Sequence, residues 1–240
     1  MKLILTFILT SLMALNILYA HASPKIIKPL PLPLDTPVGY WLQTKNFKNI
    51  KDYGAPQSII QIYEEKNGDL AGKPLTGISG DKAHPYPAEY CKQGNCKEYC
   101  KEHPKYCPLK KSKVLLPGMT FMYGLTLDGD SNLKDGKGPT YKNGKIFISS
   151  LKKSFDVSLQ TLKNGKLLHV DVSWMWVDRY QKWVRLNKAQ ATQLTKAYSD
   201  CNKSLWKTQG FKDSDKKKEG LKSYQSCFKK ANLLLKKMKF

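Results

Sequence analysis

The chain has 240 residues, with 41 Lys and Arg against 19 Asp and Glu, and a formal net charge of +22. A hydrophobic content of 41%, with 11% aromatic residues, is enough to build a core, so a wholly disordered chain is excluded. Only Arg179 and Arg185 are arginines, and this shortage disfavours a sequence-specific reader of DNA, which relies on the planar guanidinium group. The charge predicts a long-range positive field that favours anionic surfaces.

The first 22 residues have the pattern of a signal peptide. A short charged start at Met1-Lys2 precedes an apolar run, and Ala20-His21-Ala22 is a small-x-small cleavage site. We expect cleavage after Ala22 and a periplasmic or secreted mature protein. Residues 23–37 carry five prolines and predict an extended leader. No later apolar run is long enough for a membrane span, so none is predicted in the mature chain.

Residues 38–186 alternate short strand-like stretches with turn signals. The segment Ser58–Tyr63 is rich in β-branched residues, and alternate apolar residues run from Met119 to Leu127. The turn signals are Asn67-Gly68-Asp69, Asn143-Gly144 and Asn164-Gly165. About eight strands without a convincing helix between them predict an antiparallel barrel or sandwich, and hence a mainly β fold.

A long polar insertion at residues 78–113 interrupts this region and carries four clustered cysteines. They are Cys91, Cys96, Cys100 and Cys107. An exported chain with an even number of cysteines predicts disulfides, and the absence of a C-x2-C pair disfavours a zinc site. We expect these four residues to pair among themselves, and the sequence leaves all three pairings open.

Residues 187–240 change to a helical period and predict a basic helical hairpin. The two apolar stripes are Leu194, Tyr198, Cys201 and Leu205, and then Leu221, Tyr224, Phe228, Ala231, Leu235 and Met238. The breaker Gly210–Asp215 lies between them, and its position midway between the two remaining cysteines predicts a Cys201–Cys227 disulfide. This segment holds 14 lysines against four acidic residues, so much of the charge is concentrated here.

Several short motifs of the strand region occur in the order seen in one bacterial family. They are Gly39-Tyr40-Trp41, Ser58-Ile59-Ile60-x-Ile62-Tyr63-Glu64, Gly68-Asp69-Leu70-x-Gly72-Lys73, Gly118-Met119-x5-Leu125, Pro139-x3-Asn143-Gly144-Lys145, Asn164-Gly165-Lys166-Leu167-x2-Val170 and Arg179-x3-Trp183-x-Arg185. Over roughly residues 37–186 the chain resembles the exported family called domain of unknown function 2147. The resemblance implies a lipocalin-like, calycin-type barrel and export, but no particular activity. The chain departs from the family at Asp171-Val172, in its longer cysteine loop and in the helical hairpin.

Trp41 and Arg185 are predicted to close the barrel. In a closed barrel the first and last strands must pair, and an Arg stacked on an indole there gains a cation–π contact. Their predicted role is therefore structural.

Chemistry-bearing motifs are scarce, and we predict no catalytic residues, metal or cofactor. The histidines of the mature chain are His84, His103 and His169, and none belongs to a nucleophile or metal motif. The stretch Asp128–Asn132 begins like an EF-hand loop, but Leu133 and Pro139 stand where Gly and Glu are required, so a polar turn is the better interpretation.

Five aromatic residues of the strands are candidates for lining a ligand cavity: Tyr63, Phe121, Tyr123, Trp174 and Trp176. A small barrel can be filled by side chains or can leave room for one ligand, and an aromatic stripe also suits a plain core.

The predicted function is non-enzymatic binding, with the lysine-rich hairpin docking on an anionic partner such as lipid headgroups. The lysines expected to do so are Lys216, Lys217, Lys218, Lys229, Lys230, Lys236 and Lys237. Two alternatives are a carrier of a small apolar ligand inside the barrel and an extracellular hydrolase using an acid pair. The lysines could also be a solvated coat, and no specific binding of nucleic acid is expected.

Overall fold

The computed structural model describes residues 36–78, 91, 95–110, 113–128, 135–174, 177–209 and 214–240. Eight strands form an antiparallel barrel: β1 (Gly39–Lys45), β2 (Ala55–Glu64), β3 (Leu70–Gly77), β6 (Met122–Leu127), β7 (Thr140–Ile148), β8 (Lys153–Leu162), β9 (Leu167–Trp174) and β10 (Val177–Leu186). Two strands of two residues, β4 (Leu109–Lys110) and β5 (Lys113–Val114), form a separate pair.

Neighbours in the barrel are mostly neighbours in sequence. The spatial order is β1-β10-β9-β8-β7-β6-β3-β2, and β1 pairs with both β2 and β10, so the sheet is closed. This is the up-and-down, eight-stranded architecture of the lipocalins. The sequence prediction of a lipocalin-like antiparallel barrel followed by a helical hairpin is confirmed.

The barrel interior is filled by alternate residues of each strand. The buried interior side chains are Trp41, Ile60, Ile62, Leu70, Met122, Leu125, Ile146, Val157, Leu159, Leu168, Val170 and Trp183. The alternation expected from Met119 to Leu127 is wrong, because Met122 and Leu125 both point inward. Between them Gly124 has a φ of +70°, which places an irregularity in the strand and reverses its faces.

Asn143-Gly144 is not the hairpin turn that the sequence predicted. The pair lies inside β7, where the register with β8 shifts between Tyr141 and Gly144 and Asn143 has a φ of 61°. The Leu125 side chain lies against the backbone of Gly144, and a Cβ there would overlap it. Glycine thus makes room for a bulge at this position. Asn67-Gly68-Asp69 and Asn164-Gly165 do connect successive strands, as predicted.

Two helices, α2 (Lys188–Gln209) and α3 (Ser214–Lys237), cover the outer face of the barrel. The first begins with a reciprocal cap, in which Asn187 and Gln190 each accept the other's backbone N–H at 2.9 and 2.8 Å. The apolar stripe of α2 packs on the outer surface of β1, β2, β3 and β10, against residues such as Leu42, Ile59 and Val184, and α3 packs on α2.

A disulfide joins Cys201 to Cys227 across the two helices, which is the pairing that the sequence predicts. The Tyr198 hydroxyl donates to Asn232 Oδ1 at 2.8 Å and links the same helices. Tyr198 and Tyr224 are buried, and burial raises the pKa of both phenols, that of Tyr224 to about 12.

The insertion leaves the barrel after Gly77 and returns at Met122. It therefore extends to Phe121, beyond the predicted 78–113, and the strand expected to begin at Met119 begins at Met122. It contains the short helix α1 (Lys97–Glu102), and its disulfides are Cys91–Cys96 and Cys100–Cys107. We call the end of the barrel from which it projects the insertion end, and the opposite end the Arg185 end.

The predicted signal peptide and almost all of the predicted leader lie outside the described residues, as does the loop Gly129–Leu133. None of the helices in the described ranges has both the length and the apolar character needed to cross a membrane.

Candidate functional site

A cavity of about 320 Å³ lies at the insertion end and is partly open to solvent. Its apolar lining includes Ile60, Ile78, Leu116, Met119, Phe121 and Phe147. Its polar lining consists of Gln43, Gln57, Ser58 and Ser149. The combination of an apolar wall with a few polar groups is typical of sites that bind small molecules.

A chain of hydrogen bonds fixes the polar edge of this cavity. The Ser58 hydroxyl donates to Gln43 Oε1, and Gln43 Nε2 donates to Gln181 Oε1 at 3.1 Å. The same Gln181 oxygen accepts the Trp183 indole N–H at 2.9 Å. Because each member holds the next, the Gln43 amide is oriented before any ligand arrives.

Alternation explains why these polar groups face inward. Gln43 lies two residues after the buried Trp41, and Ser58 lies two residues before the buried Ile60. Neither residue was predicted from the sequence as part of a site. An inward-facing Gln beside Trp41 on the same strand face is a signal that could have revealed the polar edge.

The insertion supplies one wall of the cavity through Leu116, Met119 and Phe121. This wall is tied to the barrel, because Gly118 N donates to Pro74 O at 2.7 Å. It is also tied to the disulfide-bonded part of the insertion, because Thr120 N donates to Tyr106 O at 3.0 Å.

Tyr99 supports this wall from behind. Its ring stacks on the cavity-lining Phe147 with centroids 4.3 Å apart, and its hydroxyl donates to Thr120 O at 2.6 Å. The side chain is buried, and burial is the main reason why its pKa lies far above that of an ordinary phenol. Tyr99 thus joins the helix α1 to the lining of the cavity.

Tyr63 and Tyr123, two of the predicted cavity residues, lie outside the barrel. Tyr63 follows the inward-facing Ile62, and Tyr123 follows the inward-facing Met122, so both point away from the interior. The Tyr63 hydroxyl contacts Thr120 Oγ1 at 2.7 Å. The Tyr123 hydroxyl lies 3.1 Å from His103 Nε2, beneath the insertion.

The aromatic residues under the insertion form a packed cluster and not a cavity. The ring of His103 lies 4.8 Å from that of Tyr123 and 5.9 Å from that of Tyr106. The Tyr106 hydroxyl donates to Glu65 Oε2 at 2.8 Å. Burial is the largest cause of the raised pKa of Tyr106. The cluster anchors the insertion on the outer surface of β2 and β6.

Of the other predicted cavity residues, Phe121 does line the cavity. The backbone of Trp174 ends β9 at the insertion end. The side chain of Trp174 and the whole of Trp176 lie outside the described residues. The other apolar lining residues include Ile60, Ile78, Leu116, Met119 and Phe147, and of these only Ile60 and Met119 belong to strands predicted from the sequence.

At the Arg185 end, Trp41 and Arg185 are cross-strand partners on β1 and β10. The guanidinium carbon lies 4.2 Å from the centre of the indole ring. Arg185 also donates to the carbonyl oxygens of Thr36, Val38 and Gly165. These contacts seal the Arg185 end and separate it from the cavity at the other end.

The exposed side of α3 carries a stripe of lysines. Lys218, Lys222, Lys229 and Lys236 follow spacings of four and seven residues, and each is exposed. Lys230 and Lys237 are exposed beside them, and Leu233 among them is 50% exposed. Lys218 pairs with Asp215 at 3.6 Å. The side chains of Lys216 and Lys217 lie outside the described residues.

Neither described histidine lines the cavity. His169 lies on the outer face of β9 with its ring 5.5 Å from that of Tyr180, and burial lowers its pKa. His103 belongs to the aromatic cluster. Among the described residues, no group of three or more His, Cys, Asp or Glu side chains is placed to hold a metal ion.

No protein-family model matches the chain, and no curated protein matches it. Among solved structures, the chain is similar to a Helicobacter pylori protein described as belonging to the lipocalin family. The two share 18% sequence identity with a TM-score of 0.42, over 66% of this chain and 88% of that one. The barrel topology given above rests on the strand pairing of this chain itself.

Proposed function

We propose that this protein is a non-enzymatic binding protein that takes a small, largely apolar molecule into the cavity at the insertion end. The observation that supports the proposal most strongly is the cavity itself, which has an apolar wall, an oriented polar edge and an opening to solvent. At about 30 Å³ for each water-sized group, it has room for about ten non-hydrogen atoms. None of the described residues that line it has a carboxylate, so the alternative of an acid-pair hydrolase receives no support from this site.

Calorimetry with 1-octanol, whose size is close to that of the cavity, tests this proposal. We expect saturable binding to the wild-type protein. Ser149→Trp should weaken it at least tenfold, because Ser149 lines the cavity and an indole would occupy it. The matched control is Ser150→Trp, at the neighbouring exposed residue of the same turn, which should bind as the wild type does. Equal binding by both variants would contradict the proposal.

A second proposed function is docking of the lysine stripe on anionic lipid. The stripe supports it because exposed lysines near an anionic bilayer contribute about 1 kcal/mol each, and the exposed Leu233 among them can enter the interface. The apolar side of the same helix packs on α2, so docking requires no unfolding of the hairpin.

Co-sedimentation with phosphatidylserine-containing and purely phosphatidylcholine vesicles tests the docking. Raising the salt from roughly 50 to 300 mM shortens the Debye length from about 14 to about 6 Å and should release the protein from the anionic vesicles. Lys229→Gln with Lys236→Gln should weaken binding more than Lys163→Gln with Lys166→Gln, the same charge change in an exposed turn of the barrel. Equal weakening by the two pairs would show that only net charge matters and would reject the stripe.

We also propose that the mature protein is exported and that it is a member of the exported family that its motifs resemble. Three disulfides among the six cysteines support an oxidising compartment. Amino-terminal sequencing of the protein from its native host should give Ser23 as the first residue. An intact Met1 would contradict export through the predicted signal.

A further inference from the structure

The lining of the cavity is uncharged although the chain is strongly basic. The chain has a formal net charge of +22, yet none of the described residues that line the cavity is a Lys, Arg, Asp or Glu. A ligand with an ionised group would therefore lose water without meeting an opposite charge. The positive charges of exposed lysines act through solvent and are screened by salt.

Within the polar edge, the Gln43–Ser58 pair offers one N–H donor and the acceptor lone pairs of Ser58 Oγ, and Gln57 and Ser149 complete the uncharged polar lining. The hydrogen bonds among the described residues use Gln43 Oε1, one N–H of Gln43 Nε2 and the hydroxyl hydrogen of Ser58. The second N–H of the Gln43 amide and the lone pairs of Ser58 Oγ are then left for a ligand. A hydroxyl or an amide, which both donates and accepts, matches this pair, whereas a carboxylate only accepts and would face the Ser58 lone pairs.

On these grounds we infer that the cavity selects ligands whose polar end is an uncharged hydroxyl or amide group, and that it discriminates against carboxylates of the same length. This inference rests on the proposed function, because it specifies the ligand of the same cavity. The apolar part of the ligand lies against Phe121, Phe147 and Met119, and its polar end lies at Gln43 and Ser58.

Calorimetry with two probes of one chain length, 1-octanol and octanoate, tests the selectivity at pH 7.5. We expect the wild-type protein to bind 1-octanol at least tenfold more tightly. Octanoate should bind better as the pH is lowered toward the ordinary carboxyl pKa, because the neutral acid then accumulates. Binding of octanoate as tight as that of 1-octanol at pH 7.5 would overturn the inference and leave the proposed function standing. Binding of neither probe would refute the proposed function itself.

A single substitution should reverse the preference. Gln43→Lys places an ammonium group at the polar edge, so octanoate should bind at least tenfold more tightly than it does to the wild type. The matched control is Gln225→Lys, which adds the same charge at an exposed position of α3 and should leave both affinities unchanged. An equal gain of octanoate binding in both variants would show that net charge and not the cavity edge determines the preference. The wild-type comparison stands even if Gln43→Lys does not fold.

Discussion

The helical hairpin and the cysteine-rich insertion both cover this barrel, but different interactions hold them in place. The hairpin packs aliphatic and aromatic residues of two long helices together and against four strands, and it is closed by one disulfide. In its described residues the insertion has the short helix α1, one 3-10 turn, two disulfides and tyrosines that both pack and donate hydrogen bonds. The hairpin therefore covers the outer wall of the barrel, and none of its described residues lines the cavity, whereas the insertion shapes the cavity wall. Substitutions in the two covers should separate stability from binding.

The largest expected effect lies in the hairpin core. Leu194 is fully buried between α2 and the barrel, so Leu194→Ala should lower the free energy of unfolding by about 2–5 kcal/mol. Leu233→Ala, at a half-exposed position of the same hairpin, should change it by less than about 0.5 kcal/mol. Urea denaturation measures both. Similar losses in the two variants would mean that the hairpin is not packed on the barrel.

The disulfides should differ in how much they stabilise the fold, according to the lengths of the loops that they close. The Cys201–Cys227 bond spans 26 residues and should contribute about 3.5 kcal/mol, whereas Cys100–Cys107 spans seven and should contribute about 2.4 kcal/mol. Replacing each pair by Ala and measuring urea denaturation checks the order. Only loss of the second pair should also weaken 1-octanol binding, because that pair supports the cavity wall. The comparison fails if loss of the hairpin pair weakens binding equally.

Tyr99→Phe should lower the free energy of unfolding by a smaller amount, because the contact that it removes lies within the insertion. The substitution keeps the stack on Phe147 but leaves the buried Thr120 carbonyl without its partner, at a cost of about 1–3 kcal/mol. Thermal unfolding measures the loss, and Tyr180→Phe, at an exposed tyrosine of β10, is the matched control. An unchanged melting temperature for Tyr99→Phe would show that this hydrogen bond is not needed.

The smallest expected effect is that of the buried phenols on the free energy of unfolding. It is absent at neutral pH and appears only at alkaline pH. Burial raises the pKa of Tyr224 to about 12 and also raises those of Tyr198 and Tyr99. The folded state then holds these protons more tightly than the unfolded state. This contribution to stability is complete below the unfolded pKa of about 10 and is lost as the pH rises through the folded pKa.

Absorbance at alkaline pH checks this, since the buried phenols should ionise only after the exposed ones. Tyr224→Phe should remove one late-ionising group from that titration. An unaltered late phase would show that Tyr224 is accessible in the folded protein.

The two covers also show how much could be predicted from the sequence. Both helices of the hairpin and their disulfide were predicted, because a 3.6-residue period and two cysteines at equal distances from a breaker specify them. The predicted breaker Gly210–Asp215 was too long, since α3 begins at Ser214. The insertion was predicted only as a disulfide-bonded segment, because its cysteines allow three pairings and its tyrosines follow no period.

The candidate site was harder to predict than the hairpin, because no local sequence period specifies it. Its walls come from distant segments, so Phe147 meets Leu116 only after the barrel closes. A single residue can also reverse the two faces of a strand. The irregularity at Gly124 leaves Leu125 facing inward but Tyr123 facing outward, although the two lie two residues apart. The inward orientation of Gln43 could have been predicted, since the two-residue alternation of a strand places it on the same face as Trp41.

Methyl NMR of the methionines during titration with 1-octanol tests the central claim most directly. Met119 lines the cavity, whereas Met238 packs in the hairpin. The account predicts that the Met119 methyl resonance shifts to saturation as 1-octanol is added, with direct contacts to the octanol chain, while that of Met238 stays in place. An unmoved Met119 resonance, with Met238 shifted instead, would place binding on the hairpin and contradict the account.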